Sequence, residues 1–82
     1  MGYTAKEKQI TVLAATDQAT LERAGADVET THETIASATA RAKYYLTEEY
    51  RINSESGVRL GYAQVLVNGK CVADYFAKGG AR

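Results

Sequence analysis

The sequence predicts an α+β fold, a small β-α-β-β domain in which an antiparallel three-stranded sheet carries one long helix on one face. Three observations lead there: an Asn-Gly turn between β-prone runs near the C-terminus, an apolar stripe of helical period over 30–50, and a short β-branched run at 8–15. One helix hides only one side of such a sheet. The other side is where a function is expected.

The run at 8–15, Lys-Gln-Ile-Thr-Val-Leu-Ala-Ala, alternates Ile10 and Val12 with Thr11, which suits a pleated surface. Residues 16–25 read either as one or two helical turns, capped by Thr16 and closed at Gly25, or as an irregular connection. Thr30-Thr-His-Glu33 has capping-box spacing and predicts the start of a long helix running to about Tyr50. Ile35, Ala38, Ala42, Tyr45, Leu46 and Glu49 form its stripe, small at one end and bulky at the other. Thr34, Ser37, Thr39 and Arg41 fall on the solvated side.

Asn53-Ser-Glu-Ser-Gly57 separates the helix from hairpin strands at about 58–67 and 70–77. Asn68-Gly69 between them predicts a type I′ turn, because Asn tolerates positive φ and Gly adopts it freely. The strand at 8–15 either pairs antiparallel with 70–77 or lies parallel to 58–67 through a right-handed crossover; the first is preferred, since antiparallel sheets tolerate one wet face. The whole chain is expected to be one domain with an ordered core at about 8–77 and frayed termini.

An uninterrupted hairpin register pairs Val67 with Lys70, Leu66 with Cys71, Val65 with Val72 and Tyr62 with Tyr75. One side then carries Leu60, Tyr62, Gln64, Leu66, Cys71, Ala73 and Tyr75. The other carries Arg59, Gly61, Ala63, Val65, Val67, Lys70, Val72, Asp74 and Phe76. Only the second side holds formal charges, and burying an unpaired carboxylate is costly, so the first is expected under the helix. The expected partner-binding surface has Val65, Val72 and Phe76 as its apolar centre and Arg59, Lys70 and Asp74 as its charged rim.

Composition narrows the function. At 82 residues the chain is a single small domain, burying roughly 60% of its unfolded surface. Ten basic against ten acidic residues give no net charge, so the attraction that drives nonspecific phosphate binding is missing and nucleic acid is not indicated. The single Cys71 leaves no intramolecular disulfide and favours a reducing, cytoplasmic setting. No apolar run reaches the ~20 residues of a membrane span, and no signal-peptide pattern opens the chain, so a soluble protein is expected.

No catalytic set emerges. His32 is the only histidine, with an ordinary place in a first helical turn, and Cys71 reads as a small core hydrophobe. One Cys and one His do not supply the usual zinc ligands, and neighbouring Glu48 and Glu49 diverge around a helix. The glycines form no nucleotide-binding loop, so no cofactor or metal is expected. Six tyrosines are many for this length; most suit core packing with hydroxyls reaching water, though Tyr is also a favoured binding anchor.

In size and layout, with ITVLA, THETIASATARAKYY and GYAQVLVNGKCVADYF as its elements, the chain resembles small phage-encoded proteins, among them some anti-CRISPR inhibitors. The resemblance is one of architecture and spans most of the chain. It implies a protein partner such as a CRISPR effector subunit, blocked by steric occlusion. From the residues alone, the alternatives are a homodimer with a structural role, joined by the same face or by strand edges, and a weak nucleic-acid-binding domain with Tyr stacking platforms.

Overall fold

The structure is a computed structural model that describes residues 9–77. The expectation of frayed ends concerns residues 1–8 and 78–82, which lie outside the described residues. Seven elements follow in order: β1 (Ile10–Ala15), α1 (Gln18–Ala24), β2 (Val28–His32), α2 (Ile35–Tyr45), α3 (Glu48–Asn53), β3 (Tyr62–Val67) and β4 (Lys70–Phe76). The fold is α+β, as the sequence predicts, but among the described residues the sheet has four strands and there are three helices. Every neighbouring pair in the order β2-β1-β3-β4 is antiparallel.

Two expectations about the connections are corrected. The capping-box segment is a strand: Thr30 and His32 belong to β2, and the helix is capped instead by Thr34, whose hydroxyl accepts from the Ser37 amide at 3.0 Å. The alternation Val28, Thr30, His32 meets Ala14, Val12 and Ile10 across β1, so strand pairing overrides the local cap signal. With β2 running back beside β1, the chain leaves α2 to enter the sheet on the far side of β1. Residues 62–67, rather than 70–77, therefore become the second partner of β1.

The long helix ends at Tyr45 because Thr47 caps a new one. Its hydroxyl donates to the Tyr44 carbonyl at 2.7 Å and accepts from the Tyr50 amide at 3.2 Å, serving the end of α2 and the start of α3. Of the two readings of 16–25, the helical one holds: α1 is closed at Gly25 as read but capped by Asp17 rather than Thr16, with the carboxylate accepting from the Thr20 amide at 2.7 Å. That bond holds the Asp17 carboxyl below its usual range.

The Asn68-Gly69 turn has positive φ at both residues, 53° and 85°. It is also docked on β1: the Asn68 amide donates to the Gln9 carbonyl at 2.8 Å, and the Gln9 amide to Asn68 Oδ1 at 2.9 Å. The predicted pairs Val67–Lys70 and Leu66–Cys71 form, and then the register shifts. Val65 pairs with Ala73, Gln64 with Asp74, Ala63 with Tyr75 and Tyr62 with Phe76, which leaves Val72 as the extra residue of a β-bulge.

That one residue exchanges the faces of the rest of β4. The side under α2 consists of three rows across the sheet: His32, Ile10, Val67 and Lys70; Thr30, Val12, Val65 and Ala73; Val28, Ala14, Ala63 and Tyr75. Val12, Val65, Ala14 and Ala63 are fully buried there against Ala38, Ala42 and Tyr45, the small alanines letting α2 lie close to the strands. Tyr50 and Leu60 close the end of this core, with the Tyr50 ring edge-on to Tyr45 at 4.9 Å between centroids.

Candidate protein-binding surface

Residues opposite one another on paired strands share a face, so the register also defines the second side of the sheet. Its first row is Ala15, Tyr62 and Phe76; its second is Glu29, Leu13, Gln64 and Asp74; its third is Thr31, Thr11, Leu66 and Cys71. The helix α1 covers the first row, where Leu21 packs on Ala15 and Tyr62. A helix of seven residues spans about 10 Å, and from the second row Leu13 packs against the edge of its cluster. The second and third rows remain open, with Leu13 and Leu66 half-buried and Glu29, Thr31, Cys71 and Asp74 exposed.

A polar chain stiffens the middle of this face. Gln64 Nε2 donates to the Tyr62 hydroxyl at 3.0 Å, and that hydroxyl donates to Asp74 Oδ2 at 2.8 Å. The Tyr62 ring, almost wholly buried, also meets the ring of Phe76 at 4.9 Å between centroids. Burial raises the Tyr62 pKa; Asp74, which accepts the hydroxyl proton, adds to the rise while the bond from Gln64 opposes it. The bulge permits this arrangement, because in an uninterrupted register Tyr62 and Asp74 would lie on opposite sides.

The expected surface is thereby split. Val65 is fully buried beneath α2 and is not available to a partner. Val72 is 53% exposed at the bulge, and Phe76 is 49% exposed on the open face beside Asp74. Lys70 is exposed at the turn in the row of Val67, and Arg59 is exposed in the loop before β3. Of the side assigned to the core, Leu60 and Tyr62 are buried, Leu66 and Tyr75 are half-buried, and Cys71 is exposed. The expected faces of β3 are reversed: Ala63, Val65 and Val67 lie under α2, and Tyr62, Gln64 and Leu66 face the other side with Cys71, while Asp74 stays out from under the helix only because the bulge changes the register.

Leu13, Gln64 and Leu66, together with Thr11, Glu29, Thr31 and Cys71, are open-face residues missing from the expected surface. One signal for them was present in the sequence, since Leu13 shares the parity of Thr11, opposite to Ile10 and Val12. His32 stands at the end of β2 instead of in a helical turn. Its Nε2 lies 2.8 Å from Thr30 Oγ1 and its Nδ1 3.1 Å from Ser37 Oγ, tying β2 to the first turn of α2.

Ser37 Oγ and both nitrogens of His32 thus form a short chain of polar contacts with Thr30 that joins β2 to the start of α2. Among the described residues no group of three or more His, Cys, Asp or Glu side chains is placed to hold a metal ion, and no helix is long and apolar enough to cross a membrane. No family model, curated protein or solved structure matches the chain.

Proposed function

We propose that the chain is a non-catalytic protein-binding module that docks through its uncovered sheet face and acts by steric occlusion. The observation that carries the reading is the unequal cover of one four-stranded sheet: α2 seals one side, whereas α1 covers only the Ala15–Tyr62 end of the other. Leu13, Leu66 and Phe76 supply apolar contact on that side, with Thr11, Thr31 and Gln64 between them. Its charged members, Glu29 and Asp74, are both acidic.

An apolar centre with an acidic margin suits a protein surface that is itself basic. Nucleic-acid channels of CRISPR effectors have that character, so occlusion of such a channel is the form of the proposal that agrees with the resemblance to phage inhibitors. The same acidic margin disfavours direct contact with phosphates.

The test is binding and inhibition by the purified chain against purified CRISPR effector complexes, with capture and DNA cleavage as readouts. Leu66→Asp is expected to weaken capture at least tenfold while circular dichroism stays that of the parent, and Glu29→Lys with Asp74→Lys to weaken it further. Capture that persists undiminished in these variants rejects the surface. A chain that sediments as a dimer, and becomes monomeric with Leu66→Asp, would replace the foreign partner with a second copy.

A further inference from the structure

On the other side of the molecule, a surface cleft of about 520 Å³ is lined by His32, Ser37, Ala40, Arg41 and Tyr44. Its four helical members stand at i, i+3, i+4 and i+7, which places them along one face of α2, and His32 closes the cleft from β2. The guanidinium of Arg41 lies 5.3 Å from the centroid of the Tyr44 ring and 5.7 Å from that of Tyr45. Among the described residues the ion pair present is Arg51–Glu48, so no carboxylate there is within ion-pair reach of Arg41. Glu33, next to His32 in the chain, is exposed and does not line the cleft.

We propose that this cleft binds a small organic phosphate, with the phosphoryl group at Arg41 and Ser37, His32 positioning the serine hydroxyl from behind, and the organic body against Tyr44 and Ala40. A guanidinium presents a planar fork of donors matched to phosphate oxygens, and here two aromatic rings orient it without neutralising it. Ser37 adds a hydroxyl: in the tautomer with the proton on His32 Nδ1, the ring donates to Ser37 Oγ and leaves the serine proton free for a ligand. A bare anion would leave most of the volume empty. The cleft has the size of small-molecule sites, and the Tyr44 ring with Ala40 gives its apolar wall.

Phenyl phosphate is the probe, titrated into the full chain with the ring signals of His32 and Tyr44 followed by NMR. Saturable shifts at both rings are expected, weakened at least tenfold by Arg41→Gln and unchanged by Leu66→Asp, which separates this cleft from the sheet face. Inorganic phosphate should bind at least tenfold more weakly; equal binding would overturn the role given to the apolar wall. A phosphotyrosine peptide supplies the second source: tighter binding than phenyl phosphate assigns the site to a phosphorylated side chain, and equal or weaker binding to a free organic phosphate. Absence of saturable shifts with phenyl phosphate, or binding undiminished in a folded Arg41→Gln variant, overturns the proposal.

Discussion

Val65 and Leu66 are consecutive aliphatic residues of β3, and they meet opposite fates. Val65 is fully buried between Val12 and Ala73 beneath α2, while Leu66 stands half-buried between Thr11 and Cys71 on the open side. Side-chain chemistry does not separate them. What differs is the element above each face: α2 is eleven residues long and brings Ala38 and Ala42 close to the strands, whereas α1 has seven residues and meets the sheet chiefly through Leu21. A sheet face becomes core only where something is long enough and small enough to lie on it.

The largest effect should come from forcing a charge onto each side. Val65→Asp places a carboxylate in a fully apolar setting, and a loss of several kcal/mol is comparable to the ~5 kcal/mol that stabilises many small domains. Loss of cooperative urea unfolding is expected. Leu66→Asp, one residue on, should change stability by no more than about 1 kcal/mol. A cooperative transition in Val65→Asp would show that the faces are assigned the wrong way round.

An intermediate effect should appear in alkali, where the two faces each hold a tyrosine shifted by its surroundings. Burial raises the Tyr50 pKa on the α2 side, with Tyr45 and Tyr44 adding to it, and burial also leads the rise at Tyr62 on the other. A tyrosine whose native pKa is raised binds its proton more tightly when folded. Its contribution is complete below the ordinary value of 10.0 and is lost as pH climbs from there through the raised native value. Thermal midpoints should therefore fall above about pH 10, the ordinary tyrosine pKa, and Tyr50→Phe or Tyr62→Phe should each flatten part of that fall. An alkaline limb that neither variant changes would remove burial of these rings as its cause.

The smallest effect is expected from deleting Val72. Because Val72 is the unpaired residue of the bulge, its removal leaves Leu66–Cys71, Val65–Ala73 and Gln64–Asp74 as consecutive pairs of a regular ladder. A stability change of about 1 kcal/mol or less, with the Tyr62–Phe76 contact retained in NMR spectra, would show that the pairings beyond the bulge hold the register. Collapse of the fold would mean instead that the bulge itself is needed for the strand to curve.

Much of this architecture is written locally. Asn68-Gly69 determines its turn because positive φ at both positions is a property of those two residues, and Ala38, Ala42 and Tyr45 mark their helix face because a period of 3.6 brings them together wherever the helix lies. The fourth strand was harder to read, since Thr30-Thr-His-Glu33 satisfies a capping rule within four residues while its β identity depends on β1, some twenty residues earlier. The break at Thr47 was similarly hidden in a continuous apolar stripe, because one hydroxyl serving two helix ends leaves no mark on periodicity.

The candidate surface shows the boundary most clearly. The sequence by itself determined that the hairpin has two partly apolar sides, that Asp74 has to avoid the one beneath the helix, and that Thr11 and Leu13 share a parity. Tertiary structure alone decided which side is open, because α2 lies over Val12, Ala63 and Val65, and one extra residue at Val72 fits β4 to that choice by sending Ala73 and Tyr75 under α2 and bringing Asp74 to the hydroxyl of Tyr62. Strand alternation has a period of two, so a slip of one residue exchanges the faces. Such a slip is settled by what packs above and beside the strands, which no residue of the hairpin records alone.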